Sequence, residues 1–103
     1  MKKFLTAALL SLPMMSTADI LTEDIPVCRT LTHLEQALRA KERYDTRAMR
    51  YLIEKDHCFY AGAGTEYSVI DVNYPEDPSD WAKIRAYGSE GTVELYTWYG
   101  FVK

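Results

Sequence analysis

Four side chains in this sequence are of types that do covalent, metal or acid–base chemistry: Cys28 and Cys58, the only cysteines, and His33 and His57, the only histidines. A zinc site needs three or four converging ligands, and two histidines beside a bridged cysteine pair do not supply them. In a short exported chain an even number of cysteines argues for a disulfide, and two cysteines allow one pairing. A Cys28–Cys58 bridge is therefore expected, worth roughly 3 to 4 kcal/mol through the freedom it removes from the unfolded chain. His33 falls in the first turn of a helical pattern and His57 beside a bridged cysteine. Neither has a Ser or Cys nucleophile at a recognisable spacing, so no catalytic residue is assigned and the chain is not expected to be an enzyme.

Carboxylates are the other source of chemistry. Glu76 with Asp77, or Asp71 with Asp80, form the kind of pair that glycoside hydrolysis uses. They fall in or beside a loop, where carboxylates are ordinarily solvated. Glu76, Asp77 and Asp80 lack the spacing of a calcium loop, and Gly62 and Gly64 are followed by no phosphate-binding lysine. No metal and no cofactor is expected.

The first eighteen residues follow the secretory pattern. Lys2 and Lys3 give a positive start, Phe4 to Leu12 a short apolar run broken by Pro13, and Ser16, Thr17 and Ala18 the small side chains of a cleavage site. Residues 1–18 are read as a cleaved signal peptide. The run is about half the roughly 20 apolar residues that a membrane span needs. Cys28 lies too far beyond it, after Val27, to be a lipid-anchored cysteine, so no stable membrane anchor is expected after cleavage. The formal charge of −3 falls further when the two leader lysines are lost. After Cys58 only Lys83, Arg85 and Lys103 are cationic, which argues against nucleic acid. The protein is expected to be periplasmic or secreted.

The remaining chain, 19–103, is read as a single small domain. Asp19 to Val27 shows no period and is expected to be an extended, partly disordered lead-in. Thr32 and Glu35 fit a capping box, and Leu34, Ala37, Leu38 and Lys41 follow at helical spacing, predicting a helix from His33 to Arg43. Asp45 is a good second N-cap, with Ala48, Met49, Leu52 and Ile53 striping a helix that ends near Lys55. The basic face of this hairpin, Arg39, Lys41, Arg43, Arg47 and Arg50, is read as solvated. After Cys58 the period changes. Ala61 to Gly64 is a turn, Thr65 to Val72 a strand, and Asn73 to Asp80 a loop. Trp81 to Tyr87 alternates, Gly88 to Gly91 turns a hairpin, Thr92 to Thr97 is a strand, and Trp98 to Val102 is a tight turn with a last short strand.

Gly64-Thr65-Glu66-Tyr67-Ser68-Val69, Trp81-Ala82-Lys83-Ile84-Arg85, the glycine turn, Leu95-Tyr96-Thr97-Trp98 and Phe101-Val102 resemble, in that order, a bacterial SH3-like domain. The resemblance covers Phe59 to Lys103. It implies an α+β fold, with an N-terminal two-helix hairpin (residues 28–58, closed by the disulfide) packed on a barrel of about five antiparallel strands (59–103). A longer acidic loop at 73–80, and Trp98 where a proline is commoner, depart from the family pattern. Such modules carry an aromatic groove that binds peptides or cell-wall fragments, the ligand lying extended against the rings.

Ten of the 45 residues from Phe59 onward are aromatic, more than so small a domain can bury. Tyr67, Ile84 and Phe101 are expected in the core. Tyr74, Trp81, Tyr87, Trp98 and Tyr99 are the candidate binding residues, because Tyr and Trp offer rigid contact area with a polar handle. The expected function is a non-catalytic exported binding module for an envelope protein or a peptidoglycan fragment. The alternative is an inhibitor or immunity-type protein whose acidic loop, residues 76–80, blocks an envelope enzyme or a step of phage uptake.

Overall fold

The structure is a computed structural model that describes residues 18–102; the expected leader lies outside them except for Ala18. Six antiparallel strands form one sheet: β1 (Asp19–Ile20), β2 (Ile25–Cys28), β3 (Cys58–Ala61), β4 (Glu66–Val72), β5 (Trp81–Gly88) and β6 (Gly91–Trp98). Their order across the sheet is β1-β4-β5-β6-β2-β3. Two helices, α1 (Leu31–Glu42) and α2 (Thr46–Glu54), lie between β2 and β3, and Tyr99–Phe101 forms a 3-10 turn after β6.

The frame is the β4-β5-β6 meander. Ala82, Ile84 and Ala86 alternate inward along β5 as their spacing predicts, and Leu95 stands opposite Ile84. Gly91 closes the two-residue loop with a φ of +121°, a setting that residues with a side chain rarely adopt. In β4 the register slips between Val69 and Asp71. The bulge lies beyond Val69, which pairs with Ile84 as Tyr67 pairs with Ala86, so the two share a face of β4, Tyr67 buried and Val69 more exposed.

The lead-in is not disordered. Val27 is fully buried in β2, which sits between β6 and β3. Pro26 hid this strand, because proline inside a short run argues against an interior strand. It is tolerated here because Pro26 forms a non-hydrogen-bonded pair with Tyr60, so its missing N–H faces β6, where the ladder has shrunk to Cys28 opposite Tyr96. The Thr97 hydroxyl donates to the Pro26 carbonyl at 2.7 Å. That bond satisfies Thr97, the one polar residue in the buried set.

Two further expectations are corrected. The helical hairpin is inserted between β2 and β3 and is not N-terminal to the sheet. The sheet has six strands and is not closed, since no pairing joins β3 to β1 among the described residues. It is strongly curled nevertheless. β3 at one edge and β4 beside the other are joined by four residues, with the Thr65 N–H donating to the Gly62 carbonyl, and Leu21 is hydrogen-bonded to Gly64 and Thr65. So short a link requires the sheet ends to approach each other. The concave face then buries its own core of Leu21, Ile25, Val27, Tyr67, Ile84 and Leu95. Phe101, expected in that core, is exposed, and Val102 fills the place instead. The 3-10 turn replaces the expected last strand.

The convex face carries the hairpin. Leu34, Ala37 and Leu52 pack on Cys28 and Cys58, with Leu31, Met49, Trp81, Tyr96 and Trp98 around them. The cap of α1 is Thr30, whose hydroxyl accepts the His33 N–H at 3.1 Å, not Thr32. Asp45 caps α2 as expected, accepting the Ala48 N–H at 3.0 Å. Both helices end alike. Asp45 N–H donates to the Ala40 carbonyl and His57 N–H to that of Leu52, with Tyr44 at φ +55° and Asp56 at φ +62° in the left-handed position that glycine usually holds.

Candidate functional site

The disulfide joins directly opposed residues of β2 and β3, Cys28 and Cys58, with Cα atoms 4.0 Å apart. This close spacing belongs to a non-hydrogen-bonded cross-strand pair; the flanking bond runs from the Arg29 N–H to the His57 carbonyl at 2.9 Å. Both sulfurs sit under α1, so the bridge fastens the two ends of the inserted hairpin to the sheet.

Beyond the bridge the convex face opens into a groove of about 590 Å³ between the hairpin and the strand ends. Two residues on from Cys58 and Cys28, the register places Tyr60 opposite Pro26. The same step from Tyr96 reaches Trp98, which faces Trp81 on β5. Tyr60, Pro26, Trp98 and Trp81 thus form a row across four strands at the margin of the helices. Met49 and Ile53 of α2 wall the groove, the bridge forms part of its lining, and Tyr44 and Phe101 stand at its rim. Lys41 reaches over the Trp98 ring at 5.9 Å. Tyr44 is 90 % exposed, Tyr60 63 % and Phe101 44 %.

The five candidate aromatics do not assemble into one patch. Trp81 and Trp98 are brought together, half-buried and packed on the helical cluster. Tyr99 packs on the concave core. The Tyr87 hydroxyl is hydrogen-bonded to Ser68 at 3.0 Å, on the convex face farther along the sheet. Tyr74 is exposed in the 73–80 loop. Tyr44, Tyr60 and Phe101 were missed. For Tyr60 and Phe101 the signal was present, an aromatic beside a strand end, but which face each takes depends on the pairing of β2, which was not foreseen. Nothing local marks Tyr44.

In the acidic loop, Asp77 accepts the Ser79 hydroxyl and N–H at 2.6 and 2.9 Å, and these bonds hold its carboxyl below the usual range. Asp80 accepts from Asn73 at 3.0 Å and from the Trp81 N–H at 2.8 Å. Glu94 on the sheet takes both Lys83 and Arg85 at 3.1 Å, which lowers its pKa and raises theirs, chiefly through the hydrogen bonds between them. Among the described residues no three His, Cys, Asp or Glu side chains converge as a metal site, and no helix is long and apolar enough to cross a membrane.

No family model, curated protein or solved structure matches this chain. The disulfide suggests a non-cytoplasmic compartment. The groove offers apolar and aromatic surface beside the free edge of β3, whose Cys58 and Tyr60 backbone groups point away from β2. Such an arrangement suits non-covalent recognition.

Proposed function

We propose that this protein is an exported, non-catalytic binding module that holds an extended peptide segment of an envelope protein in the aromatic groove. The curled sheet with its 3-10 turn is read as SH3-like, and the ligand would lie along Tyr60, Pro26 and Trp98, using the edge of β3 for backbone hydrogen bonds. One observation carries this reading. Tyr44 places a large aromatic ring almost wholly in solvent from a left-handed backbone position where glycine would be less strained. The hairpin's reversal accounts for the backbone but not for the ring, and a large aromatic side chain left in solvent beside Tyr60 and Phe101 at the rim of the groove points to a contact outside the fold.

A peptidoglycan fragment would use the same rings through sugar stacking, and capture would then survive protease treatment of the envelope fraction. The inhibitor reading has less support. Two of the three carboxylates of the acidic loop, Asp77 and Asp80, are already engaged in shaping that loop.

The test is affinity capture from an envelope fraction with the oxidised protein, comparing wild type with Tyr44→Gly/Tyr60→Ala. Both side chains are exposed, so the variant should stay folded. Loss of a captured protein that wild type retains at high salt supports groove recognition. Equal capture by the folded variant excludes it, and capture that disappears at high salt for both would favour the acidic loop.

A further inference from the structure

The cations of this chain are segregated. From Leu31 to Lys55 there are six Lys and Arg against four carboxylates, whereas the rest of residues 18–102 has three against eleven. The three outside the hairpin are all paired: Arg29 with Asp56, and Lys83 and Arg85 with Glu94. Arg39, Arg43 and Arg47 form no ion pair among the described residues, yet all three line one cleft of about 480 Å³ between α1 and α2, together with Gln36 and Tyr51.

The topology explains the convergence. Arg39 and Arg43 are one turn apart at the end of α1, and the reversal through Tyr44 and Asp45 brings Arg47 back on the first turn of α2. Like charges at this spacing oppose helix formation, and all three side chains are exposed, so they contribute little to the core. Asp45, the carboxylate in the same cleft, already accepts the Ala48 N–H. What remains is a concave surface with a tyrosine and three guanidinium groups against the single carboxylate of Asp45, a net positive lining whose field the concavity concentrates.

We propose that this cleft is an anion site for a phosphate ester group, held by Arg39, Arg43 and Arg47. Phosphate fits because each planar guanidinium presents parallel N–H donors that match two phosphate oxygens, a geometry that lysine lacks. The site shares Ala40 and Asp45 with the aromatic groove but opens on different residues, and it does not depend on that groove's function. The phosphate comes either from a lipid headgroup or from a free phosphorylated compound.

Isothermal titration with inorganic pyrophosphate, and co-sedimentation with phosphatidylglycerol or phosphatidylcholine vesicles, test the site on the oxidised protein. Saturable pyrophosphate binding should weaken about tenfold or more in Arg39→Gln/Arg43→Gln/Arg47→Gln, and several-fold in the corresponding triple lysine variant, which keeps the charge but loses the fork. Arg85→Gln should bind as wild type does. Arginine-dependent sedimentation with phosphatidylglycerol alone, lost between about 50 and 200 mM salt, would identify a headgroup source. Pyrophosphate binding without sedimentation would identify a free compound. Absence of both, equal binding by the glutamine variant, or equal affinity for polyglutamate would overturn the proposal.

Discussion

The imidazoles of His33 and His57 lie face to face, their centroids 3.9 Å apart and their planes 10° from parallel. The stack ties the first turn of α1 to the residue just before Cys58, so it spans the same junction as the disulfide. His33 Nδ1 lies 2.9 Å from the Thr30 hydroxyl. Tyr51 stands 6.0 Å from His57, and the nearby charges of Arg29 and Asp56 are paired with each other. Burial, and then the neighbouring His57, lower the pKa of His33.

A histidine whose pKa is lowered in the folded state binds protons less tightly there than in the unfolded chain. Stability contributed by neutral His33 is therefore present above the ordinary histidine value of about 6.5 and lost as pH falls through and below it. The urea midpoint should drop between pH 7.5 and pH 5, and His57→Gln should flatten that drop. An NMR titration of His33 with its midpoint at or above the ordinary value would contradict this account.

Tyr44→Gly should stabilise the protein. The left-handed position costs a side-chain-bearing residue roughly 1 to 2 kcal/mol, of which glycine's extra unfolded-state entropy returns roughly 0.5 to 1. A gain of several tenths to about 1 kcal/mol in urea unfolding is expected. A loss would mean that the Tyr44 ring contributes packing its exposure does not reveal.

Replacing both cysteines, Cys28→Ala/Cys58→Ala, should cost roughly 3 to 4 kcal/mol, because the bridge closes a loop with a sequence separation of 30. The loop it closes is the helical hairpin. Hydrogen exchange on the reduced protein should therefore show α1 and α2 losing protection before β4, β5 and β6. Uniform loss across helices and strands would show that the bridge holds the whole domain.

Trp81→Ala and Trp98→Ala should each lower stability by about 1 to 3 kcal/mol, since both rings pack on the cluster beneath α1. A triple substitution of Trp81, Trp98 and Tyr99 would thus mix folding with binding. Tyr60→Ala should change the midpoint by only about 0.5 kcal/mol or less, which makes it the cleaner probe of the groove.

Gly100→Ala should destabilise by about 1 to 3 kcal/mol. An added Cβ would lie 3.1 Å from both the Cβ and the carbonyl oxygen of Pro78, and the Gly100 N–H donates to that same carbonyl at 2.8 Å. The 3-10 turn and the acidic loop are locked together there, so the substitution should also shift the NMR resonances of Ser79 and Asp80. Unperturbed loop resonances would exclude the contact.

Features of this protein that depend on neighbours in the chain were legible in its residues. The cysteine count allowed one bridge, Asp45 marked a helix start, the alternation from Trp81 to Tyr87 named its buried face, and Gly88 to Gly91 marked the hairpin, because each signal acts over a few residues. Tertiary structure decided what needs distant partners. Val27 is a core residue only because β6 and β3 flank it, and Pro26 is tolerated only because its pairing with Tyr60 turns the missing N–H toward β6, where the ladder has ended. Tyr44 takes its left-handed backbone from the reversal of the hairpin. His33 and His57 meet because the disulfide draws β2 and β3 together, and the reversal between α1 and α2 brings Arg47 beside Arg39 and Arg43. Side chains far apart in sequence acquire a shared face only when the strand register is set, and no local period encodes that register.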